Sequence, residues 1–520
     1  MPAETETACL FADWPLSTGS TPAQLGEAQE VVRDAPPRFK TIDRRQTFFR
    51  TVDVEALIDE DHPARAIWSV VERLDLSAFS EDARALEGCA GRSAIHPCLL
   101  ASLWIYGYSQ SVGSAREISR LCAYHPAYQW LTGAEEISGH TLSDFRVKHQ
   151  SALEKLFVEV VGVLSAEGFV KLNRVMQDGT KVRASAAADS FRRRQTLEEH
   201  LAQARLQCVE LAQTSENEDS LVQMQARKRA AKERAERLET AIQQIQQLEA
   251  DSDPSKQVRV STSDPEARNM KQPDGGFAPS YNVQTTTAAV GKAVVALEVT
   301  QAGNDFEQLT PAIDRLQRTL ETKPEEVVAD GGYVSQRNIV RTSTADVVFI
   351  GPAMKSEAKA AQCYERAGVK PEFHVDRFRY DPAENGFYCP QGIHLRYEGK
   401  TQNDLVVISK YRAPLQACAA CACKKDCCPK NDKTGRSVQR SEYHREINEF
   451  HQRMALPETK EIYRQRSEVA ETPHLWMKAK FGLRQFHVRG LTKVGMEALW
   501  AALTYNIVLL LRCRRQALRA

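Results

Sequence analysis

The sequence lacks an excess of charge of either sign, since 69 Lys and Arg residues stand against 68 Asp and Glu residues and leave a formal net charge of +1. Overall composition therefore does not indicate a nucleic-acid partner. Positive charge is concentrated locally, with seven Lys or Arg and two Glu between residues 464 and 493, and six Lys or Arg and two Glu between residues 227 and 237. These two segments predict basic surfaces that can face a polyanion.

The first residues do not predict a secretory leader, and no apolar stretch predicts a comfortable membrane span. Residues 1–7 carry neither a basic nor an apolar run, so we expect a cytoplasmic protein. The longest apolar stretch, residues 498–511, contains Asn506 and is followed directly by Arg512. With about 14 residues it is too short to span a bilayer comfortably. We predict that it forms a buried helix behind a sheet, and that the protein has no membrane partner.

At 520 residues, 42% of them apolar, the chain exceeds what one hydrophobic core usually supports, so we expect two to four structural units. The predicted organisation is a disordered tail over residues 1–40, an all-helical DNA-binding domain over 41–168, an α/β domain over 169–355 and 441–515, a coiled helical hairpin inserted over 190–256, and a Cys-rich insertion over 356–440. In the helical domain Arg116, Arg120, Arg146 and Lys148 are candidate DNA contacts, with solvated helix faces as the alternative.

Six of the 13 cysteines fall between residues 389 and 428, and such clustering in a cytoplasmic protein favours a metal over disulfides. Cys418 and Cys421 have the spacing that lets two thiolates share one tetrahedral ion, and Cys389 and Cys427 would complete the set. The other two cysteines of the cluster leave the choice of ligands open. Structural Zn²⁺ is the favoured interpretation, and free thiols or redox chemistry are the alternatives.

Two segments run a short apolar stretch directly into an Asp-Gly pair, at Asp178-Gly179 and at Asp330-Gly331. By itself such a pair is a turn signal, because both residues tolerate positive φ. A third carboxylate in the cation-rich segment 463–478 favours another interpretation. Two carboxylates from strands and one from a downstream helical region are what a two-metal phosphoryl-transfer site requires.

The order of elements around these pairs predicts the fold. Extended, β-rich runs at 281–287 and 293–300 come first, followed by a helix over 309–320 and strands over 327–329 and 347–350. Three strands that can pair as a meander, then helix, strand, helix and strand, is the order of an RNase H-like α/β domain.

Together these residues resemble the DDE transposases of bacterial insertion sequences, in the group with a Tyr-Arg-Glu-Lys signature. The first motif of that family, Asp-Gly-Thr, is matched at Asp178, and the second, Asp-x-Gly-Tyr, at Asp330. The signature maps onto Tyr463, Arg466, Glu471 and Lys478. The resemblance also includes His62-Pro63, residues 263–268, residues 484–491 and the Cys-rich insertion, and it spans about residues 40–515.

The resemblance implies a catalytic site of Asp178, Asp330 and Glu471 holding Mg²⁺ or Mn²⁺. Such an enzyme binds the terminal inverted repeats of its element, cleaves the ends and joins the freed 3′-hydroxyl to target DNA. It needs no covalent intermediate, which fits the lack of an identifiable Ser or Tyr nucleophile constellation in the chain. Double-stranded DNA is the implied partner, with a homodimer assembled on it, in the bacterial cytoplasm at the nucleoid.

Further residues follow from the signature. Tyr463, Arg466, Lys478 and, more weakly, Arg489 are expected to hold DNA phosphates. The interval from Arg466 to Glu471 is one residue longer than the commonest version of the signature, which makes Glu468 a competitor for the third carboxylate. Glu471 is preferred because its spacing to Lys478 fits.

Pro473 would interrupt a helix that carries Glu471, unless it opens a new turn. Glu497 is expected to be structural. Three alternatives to the transposase remain: a catalytically inactive DNA-binding relative, a metal-dependent nuclease without strand transfer, and a zinc-dependent regulatory protein.

Overall fold

The structure, a computed structural model, describes residues 45, 47, 51–81, 93–213, 221–251, 257–352, 362–403, 406–429 and 433–519. The predicted tail over residues 1–40 lies outside them. Contacts divide the chain into two compact units, Met1–Lys148 and His149–Ala520. The boundary falls earlier than the predicted residue 168, because the helix Gln150–Ala166 packs against strand Val294–Thr300 and helix Leu491–Arg519 of the second unit.

The first unit is helical over its described residues. Its helices are Pro63–Val71, Pro97–Ser109, Ala115–Cys122, Pro126–Thr132 and Gly139–Lys148, with 3₁₀ turns at Glu55–Leu57 and Ser77–Phe79. The indole of Trp104 is fully buried and donates to the carbonyl of Leu142 at 3.1 Å. The guanidinium of Arg146 lies 4.5 Å from the centre of the Trp104 ring and donates to the Gly113 carbonyl at 2.7 Å. Arg146 is therefore a core residue, and the prediction that it contacts DNA is wrong.

Three helices of this unit begin at the same dipeptide, His-Pro. In each, proline occupies the first turn, where its missing N–H costs nothing. The preceding His62, His96 and His125 accept, through Nδ1, the backbone N–H two residues later, at 3.1, 3.2 and 3.2 Å. Histidine thus serves as an N-cap, a role usually taken by Ser, Thr, Asp or Asn. The cap requires the neutral ring, since a protonated Nδ1 cannot accept.

The second unit is built on a six-stranded sheet. The described strands of this unit up to residue 350 are β1 Lys171–Arg183, β2 Phe191–Arg192, β3 Val260–Ser261, β4 Arg268–Lys271, β5 Phe277–Val290, β6 Val294–Thr300, β7 Glu326–Ala329 and β8 Val348–Ile350. All of them except β2 and β3 belong to the six-stranded sheet. The sheet order is β4-β5-β1-β7-β8, and β6 also pairs with β5. β5 is antiparallel to β1 and β6, whereas β7 and β8 run parallel to β1. An antiparallel meander followed by two parallel strands is the order predicted from the sequence.

The described part of the second unit also contains many helices. They are Gln150–Ala166, Arg194–Gln213, Leu221–Asp251, Leu309–Leu320, Gln336–Thr344, Leu415–Ala419, Lys424–Cys427, His444–Ala455, Pro457–Arg464, Arg466–Leu475 and Leu491–Arg519, with a π-helical turn at Trp476–Lys480 and 3₁₀ turns at Ala188–Ser190, Pro371–Phe373 and Val375–Arg377. The last helix is longer than the predicted apolar core of residues 498–511, because charged residues continue it on both sides.

That last helix is long and apolar enough to cross a membrane by length and composition, but 83% of its apolar window is buried inside the fold. Burial of this extent is typical of a core helix. Asn506 of this helix makes two hydrogen bonds to the backbone of Val294 in β6: its Oδ1 accepts from the Val294 N–H at 3.0 Å and its Nδ2 donates to the Val294 carbonyl at 2.7 Å. The polar residue that interrupts the apolar run therefore ties the helix to the sheet.

The helices Arg194–Gln213 and Leu221–Asp251 pack against each other along an apolar seam that includes Leu197, Leu238 and Ile245. Residues 214–220, where the sequence predicts the turn, lie outside the described residues. The strand β2 precedes the first of these two helices and β3 follows the second. The two strands pair with each other, so the helical hairpin begins and ends at the same place.

The Cys-rich region of the chain contains a second sheet, which has five strands. Its strands are β9 Arg379–Asp381, β10 Gly386–Tyr388, β11 His394–Asn403, β12 Val406–Arg412 and β13 Ser437–Ser441, in the order β13-β12-β11-β10-β9. Phe378, Phe387, Leu395 and Tyr411 form its core together with Cys418.

Candidate active site

The parallel register of β1 and β7 brings the two Asp-Gly pairs together. Gln177 of β1 is the partner of Ala329 of β7, at the end of their shared ladder. The next residues along the two strands are Asp178 and Asp330. Residues 152 positions apart in sequence are thus neighbours, because the parallel ladder of β1 and β7 ends at the residue before each of them.

Neither Asp-Gly pair is a turn of the kind that requires positive φ, since Gly179, Gly331 and Gly332 all have negative or extended backbones. The apolar pattern had suggested that Asp178 ends its strand. Asp178 instead lies inside β1, because the antiparallel ladder with β5 continues to Arg183. Glycine is needed at position 179 for space instead. A Cβ there would stand 2.4 Å from Oδ1 of Asp305 and 2.3 Å from Nε2 of Gln284.

Asp305 is a site residue that sequence reasoning missed. It lies in the loop between β6 and the helix Leu309–Leu320, and its carboxylate reaches both glycine-containing segments. Its Oδ1 accepts from Nδ2 of Asn282 at 2.8 Å and from Nε2 of Gln284 at 2.6 Å. The local signal, Gly-Asn-Asp, is indistinguishable from an ordinary loop.

The electrostatics of Asp178 reflect this crowding of carboxylates. Burial raises the pKa of Asp178 to about 6; Arg466 and the Gly179 N–H oppose the rise, whereas the charges of Asp330 and Asp305 add to it. The charged form of a partly desolvated carboxylate beside two other carboxylates is destabilised, and a nearby cation would stabilise it. Oxygen-only donors in such a field suit Mg²⁺ or Mn²⁺ better than softer metals.

Two of the four signature residues, Arg466 and Glu471, stand on the helix Arg466–Leu475, which packs on the sheet through Val469 and Ala470. Arg466 lies between two carboxylates: its Nη1 is 3.9 Å from Oδ1 of Asp178, and its Nη2 is 4.0 Å from Oε1 of Glu471. Glu471 itself is 64% exposed.

The competing carboxylate, Glu468, is turned to another partner. Its Oε1 forms an ion pair with Nζ of Lys292, and its side chain is 73% exposed. Of the two candidates, only Glu471 lies beside Arg466 in the described ion pairs.

The expected interruption at Pro473 does not occur, and the helix continues through it to Leu475. Proline removes one intrahelical donor. The chain then widens into the π-helical turn Trp476–Lys480, which places Lys478 against β1. An irregular turn directly after an internal proline is a usual site for such a change in helical pitch.

His474, one turn after Glu471, is a second residue that sequence reasoning missed. It is buried, and its Nε2 lies 2.9 Å from Oγ1 of Thr285 and 3.9 Å from Oδ2 of Asp178. Burial lowers the pKa of His474 to about 3, so the ring is neutral at physiological pH. A neutral ring beside Asp178 leaves the charge of the carboxylate uncancelled.

The four predicted phosphate-binding residues have different surroundings. Arg466 is only 16% exposed and faces the carboxylates. Lys478 is half-buried, and its Nζ donates to Oγ1 of Thr180 at 2.6 Å and to the Lys181 carbonyl at 2.7 Å. Tyr463 packs against the cluster of Met176 and Val328.

Arg489, the fourth, donates through Nε to the Ser185 carbonyl at 2.9 Å and is otherwise near the surface. Carboxylates hold the loop around it. Asp264 Oδ1 accepts from the Gly490 N–H at 3.1 Å, and Glu266 Oε2 accepts from the Leu491 N–H at 2.8 Å. The fully buried Glu497 accepts from the His487 N–H, which fits the structural role expected for it.

The cysteine cluster gathers around one small cavity of about 20 Å³. The cysteines that line it are Cys389, Cys418, Cys421, Cys423, Cys427 and Cys428. Cys389 sits in a tight turn in which Gly392 has φ 78° and the Ile393 N–H points at Sγ of Cys389 at 3.3 Å.

Within the described part of the chain, no three His, Cys, Asp or Glu side chains converge as a ready-made metal-ligand group. This holds for the carboxylates, where Glu471 stands apart, and for the thiols. The Zn²⁺ expected at Cys389, Cys418, Cys421 and Cys427 therefore stays a prediction.

Two family models match the chain. The Transposase domain (DUF772) matches residues 52–148, and the Transposase DDE domain matches residues 388–511. The second match contains the cysteine cluster, Glu471 and Lys478, whereas Asp178 and Asp330 lie outside both. No curated protein matches the chain in a sequence search.

The DDE domain implies an RNase H-like fold, in agreement with the order of strands described above, and both matches indicate an enzyme that acts on DNA. Together the two matches support a DDE transposase of an insertion sequence.

Proposed function

We propose that this transposase binds the terminal inverted repeats of its insertion sequence, cleaves the ends, and transfers the freed 3′-hydroxyl to target DNA. The observation that carries the proposal is the β1–β7 register, which makes Asp178 and Asp330 neighbours. With Glu471 across Arg466, these residues would hold Mg²⁺ or Mn²⁺. When bound, the cations supply activation of the attacking oxygen and stabilisation of the leaving 3′ oxygen.

Glu471 is the proposed third ligand, although it is exposed. Its distance of 4.0 Å from Arg466, and the distance of 3.9 Å from Arg466 to Asp178, make the guanidinium a bridge between the two carboxylates. A DNA phosphate that draws Arg466 to itself would release both carboxylates for cation binding, because arginine binds phosphate strongly with its planar fork.

Lys478 is a second proposed phosphate anchor. An ammonium has three N–H donors. Two of them are directed at Thr180 and Lys181, which fixes the group beside β1 and leaves one for a phosphate. Arg489 and Tyr463 would extend the contact along the backbone of the DNA. Contacts of this kind set register and affinity without reading sequence.

The helical first unit is proposed to bind DNA and, by the chemistry of paired ends, two chains are proposed to act together on one element. Its exposed cations are held loosely: Arg120 pairs with Glu117 and Lys148 with Asp144, both at the surface. Surface pairs of this kind contribute little to stability, so a phosphate can replace the carboxylate at little cost.

The proposal is tested with the full chain, Mg²⁺ and linear DNA that carries the inverted repeats flanking its coding region, together with a labelled target plasmid. Labelled ends joined to the plasmid are the expected result. Cut ends that never join would make the protein a nuclease without strand transfer. Bound but uncut DNA would make it an inactive DNA-binding relative. Either of the last two results overturns the proposal.

A further inference from the structure

We propose that Asp305 is a fourth acidic residue of the metal site, beside Asp178 and Asp330. This inference rests on the proposed function, since it concerns the same site. It adds a residue from the loop that follows β6, outside both Asp-Gly motifs and the signature.

The first argument is proximity. A Cβ on Gly332 would stand 2.8 Å from Oδ1 of Asp330 and 3.7 Å from Oδ2 of Asp305. A Cβ on Gly179 would stand 2.4 Å from the other oxygen of Asp305. The carboxylate of Asp305 therefore lies against the residue that follows Asp178 and shares with Asp330 the space above Gly332. Glycine at both positions leaves this space open.

The second argument is the way in which Asp305 is held. Its two amide donors, Asn282 and Gln284, both bond Oδ1. Oδ2 is the oxygen that faces Gly332. One oxygen is thus fixed by the fold, and the other is presented to the site, which is how a carboxylate that ligates a cation is usually oriented.

The third argument is the buried polar network behind those amides. Oε1 of Gln284 accepts from Nε2 of Gln177 at 2.9 Å and from the Tyr333 hydroxyl at 2.5 Å. Oε1 of Gln177 accepts in turn from Oγ1 of Thr286 at 2.7 Å. All four side chains are buried.

Buried amides and hydroxyls are costly unless they are fully paired, so a network of this size restricts conformation rather than adding to a core. The network also links β1, which carries Asp178, with Tyr333, which lies three residues after Asp330. The network ends on Asp305. A carboxylate so firmly oriented toward two like charges is stabilised by a cation between them.

The test is Mn²⁺ binding to the full chain by isothermal titration calorimetry. Asp305→Asn keeps an oxygen for Asn282 and Gln284 to bond but removes the charge. We expect it to weaken Mn²⁺ binding by about tenfold or more. Asp314→Asn, on the exposed face of the next helix, is the matched control and should bind Mn²⁺ as the wild type does.

Asp178→Asn separates the failure of this inference from the failure of the proposed function. If Asp178→Asn weakens binding and Asp305→Asn does not, Asp305 is outside the metal site and only this inference fails. If the wild type binds no Mn²⁺, or if Asp178→Asn leaves binding unchanged, the metal site and this inference fail together.

Thermal unfolding identifies a variant that misfolds. In that event Asp305→Glu, which keeps the charge and moves the carboxylate, replaces Asp305→Asn. It should also lower Mn²⁺ affinity, and unchanged affinity would overturn the proposal.

Discussion

The carboxylate site of the six-stranded sheet and the cysteine cluster of the five-stranded sheet are assembled in opposite ways. Asp178, Asp305 and Asp330 come from distant parts of the chain, and the β1–β5 and β1–β7 ladders bring them together. The cysteines come from residues 389–428, where tight turns and two short helices bring them together. One site depends on the register of the fold, and the other on local spacing.

The surroundings of the two sites also differ, since one is polar and the other is apolar. The carboxylate of Asp305 is bonded by the buried amide of Gln284, which bonds Gln177 in turn. The thiols back onto aromatic and aliphatic side chains, such as Phe387 and Leu395, that exclude water. Hard cations with oxygen ligands suit the first environment and a thiolate-bound ion suits the second. The comparison predicts that each region can be disrupted without the other.

Glu471→Gln should disrupt the carboxylate site alone. Loss of one metal ligand removes several kcal/mol of transition-state stabilisation, so we expect Mg²⁺-dependent end cleavage to fall about a thousandfold. Zinc content should not change. Cleavage of end-labelled repeat DNA measures the effect.

Glu468→Gln is the control for that variant, because Glu468 lies one helical turn earlier and pairs with Lys292. It should change cleavage by no more than about twofold, as for other exposed ion pairs. A large loss in Glu468→Gln with normal cleavage in Glu471→Gln would assign the third carboxylate to Glu468 instead.

Cys418→Ser should disrupt the cysteine cluster alone. Elemental analysis of the purified wild type should find about one zinc per chain, and the variant should lose most of it, because three thiolates hold the ion far less well than four. Cys363→Ser, an exposed cysteine outside the cluster, is the control and should keep its zinc. Wild-type protein without zinc would contradict the prediction and leave the cluster as free thiols.

Lys478→Gln sharpens the comparison by testing whether Lys478 contacts a DNA phosphate or only stabilises the fold. If it contacts a phosphate, the slope of log Kd against log salt for repeat DNA should fall by about one. Lys460→Gln, an exposed lysine on a neighbouring helix, should leave the slope unchanged. An unchanged slope in Lys478→Gln with a lower melting temperature would assign the lysine to the fold alone.

Periodicity and order were enough to predict the central elements. The helix Leu309–Leu320 and strands β7 and β8 lie where the apolar pattern places them, and the meander before them pairs as expected. These elements are decided by local patterning, which a single sequence displays. The length of β1 was not predicted, because its polar continuation beyond Asp178 is a strand only through its pairing with β5.

The site was predicted less completely. Asp178 and Asp330 stand in recognisable motifs, whereas Asp305 and His474 do not, and only the ladders and the packing of the helix Arg466–Leu475 bring them near. Pro473 was misread because helix propensity is a weak prior when packing through Val469 and Ala470 holds the helix on the sheet. Residues positioned by register have no signature in local spacing.

The central claim, that the β1–β7 register creates the catalytic metal site, is tested most directly by Asp330→Ala in a paired assay of DNA binding and Mg²⁺-dependent end cleavage. We predict that cleavage of the repeat ends is abolished while affinity for the same DNA stays near the wild-type value. Unchanged cleavage by Asp330→Ala would contradict the claim.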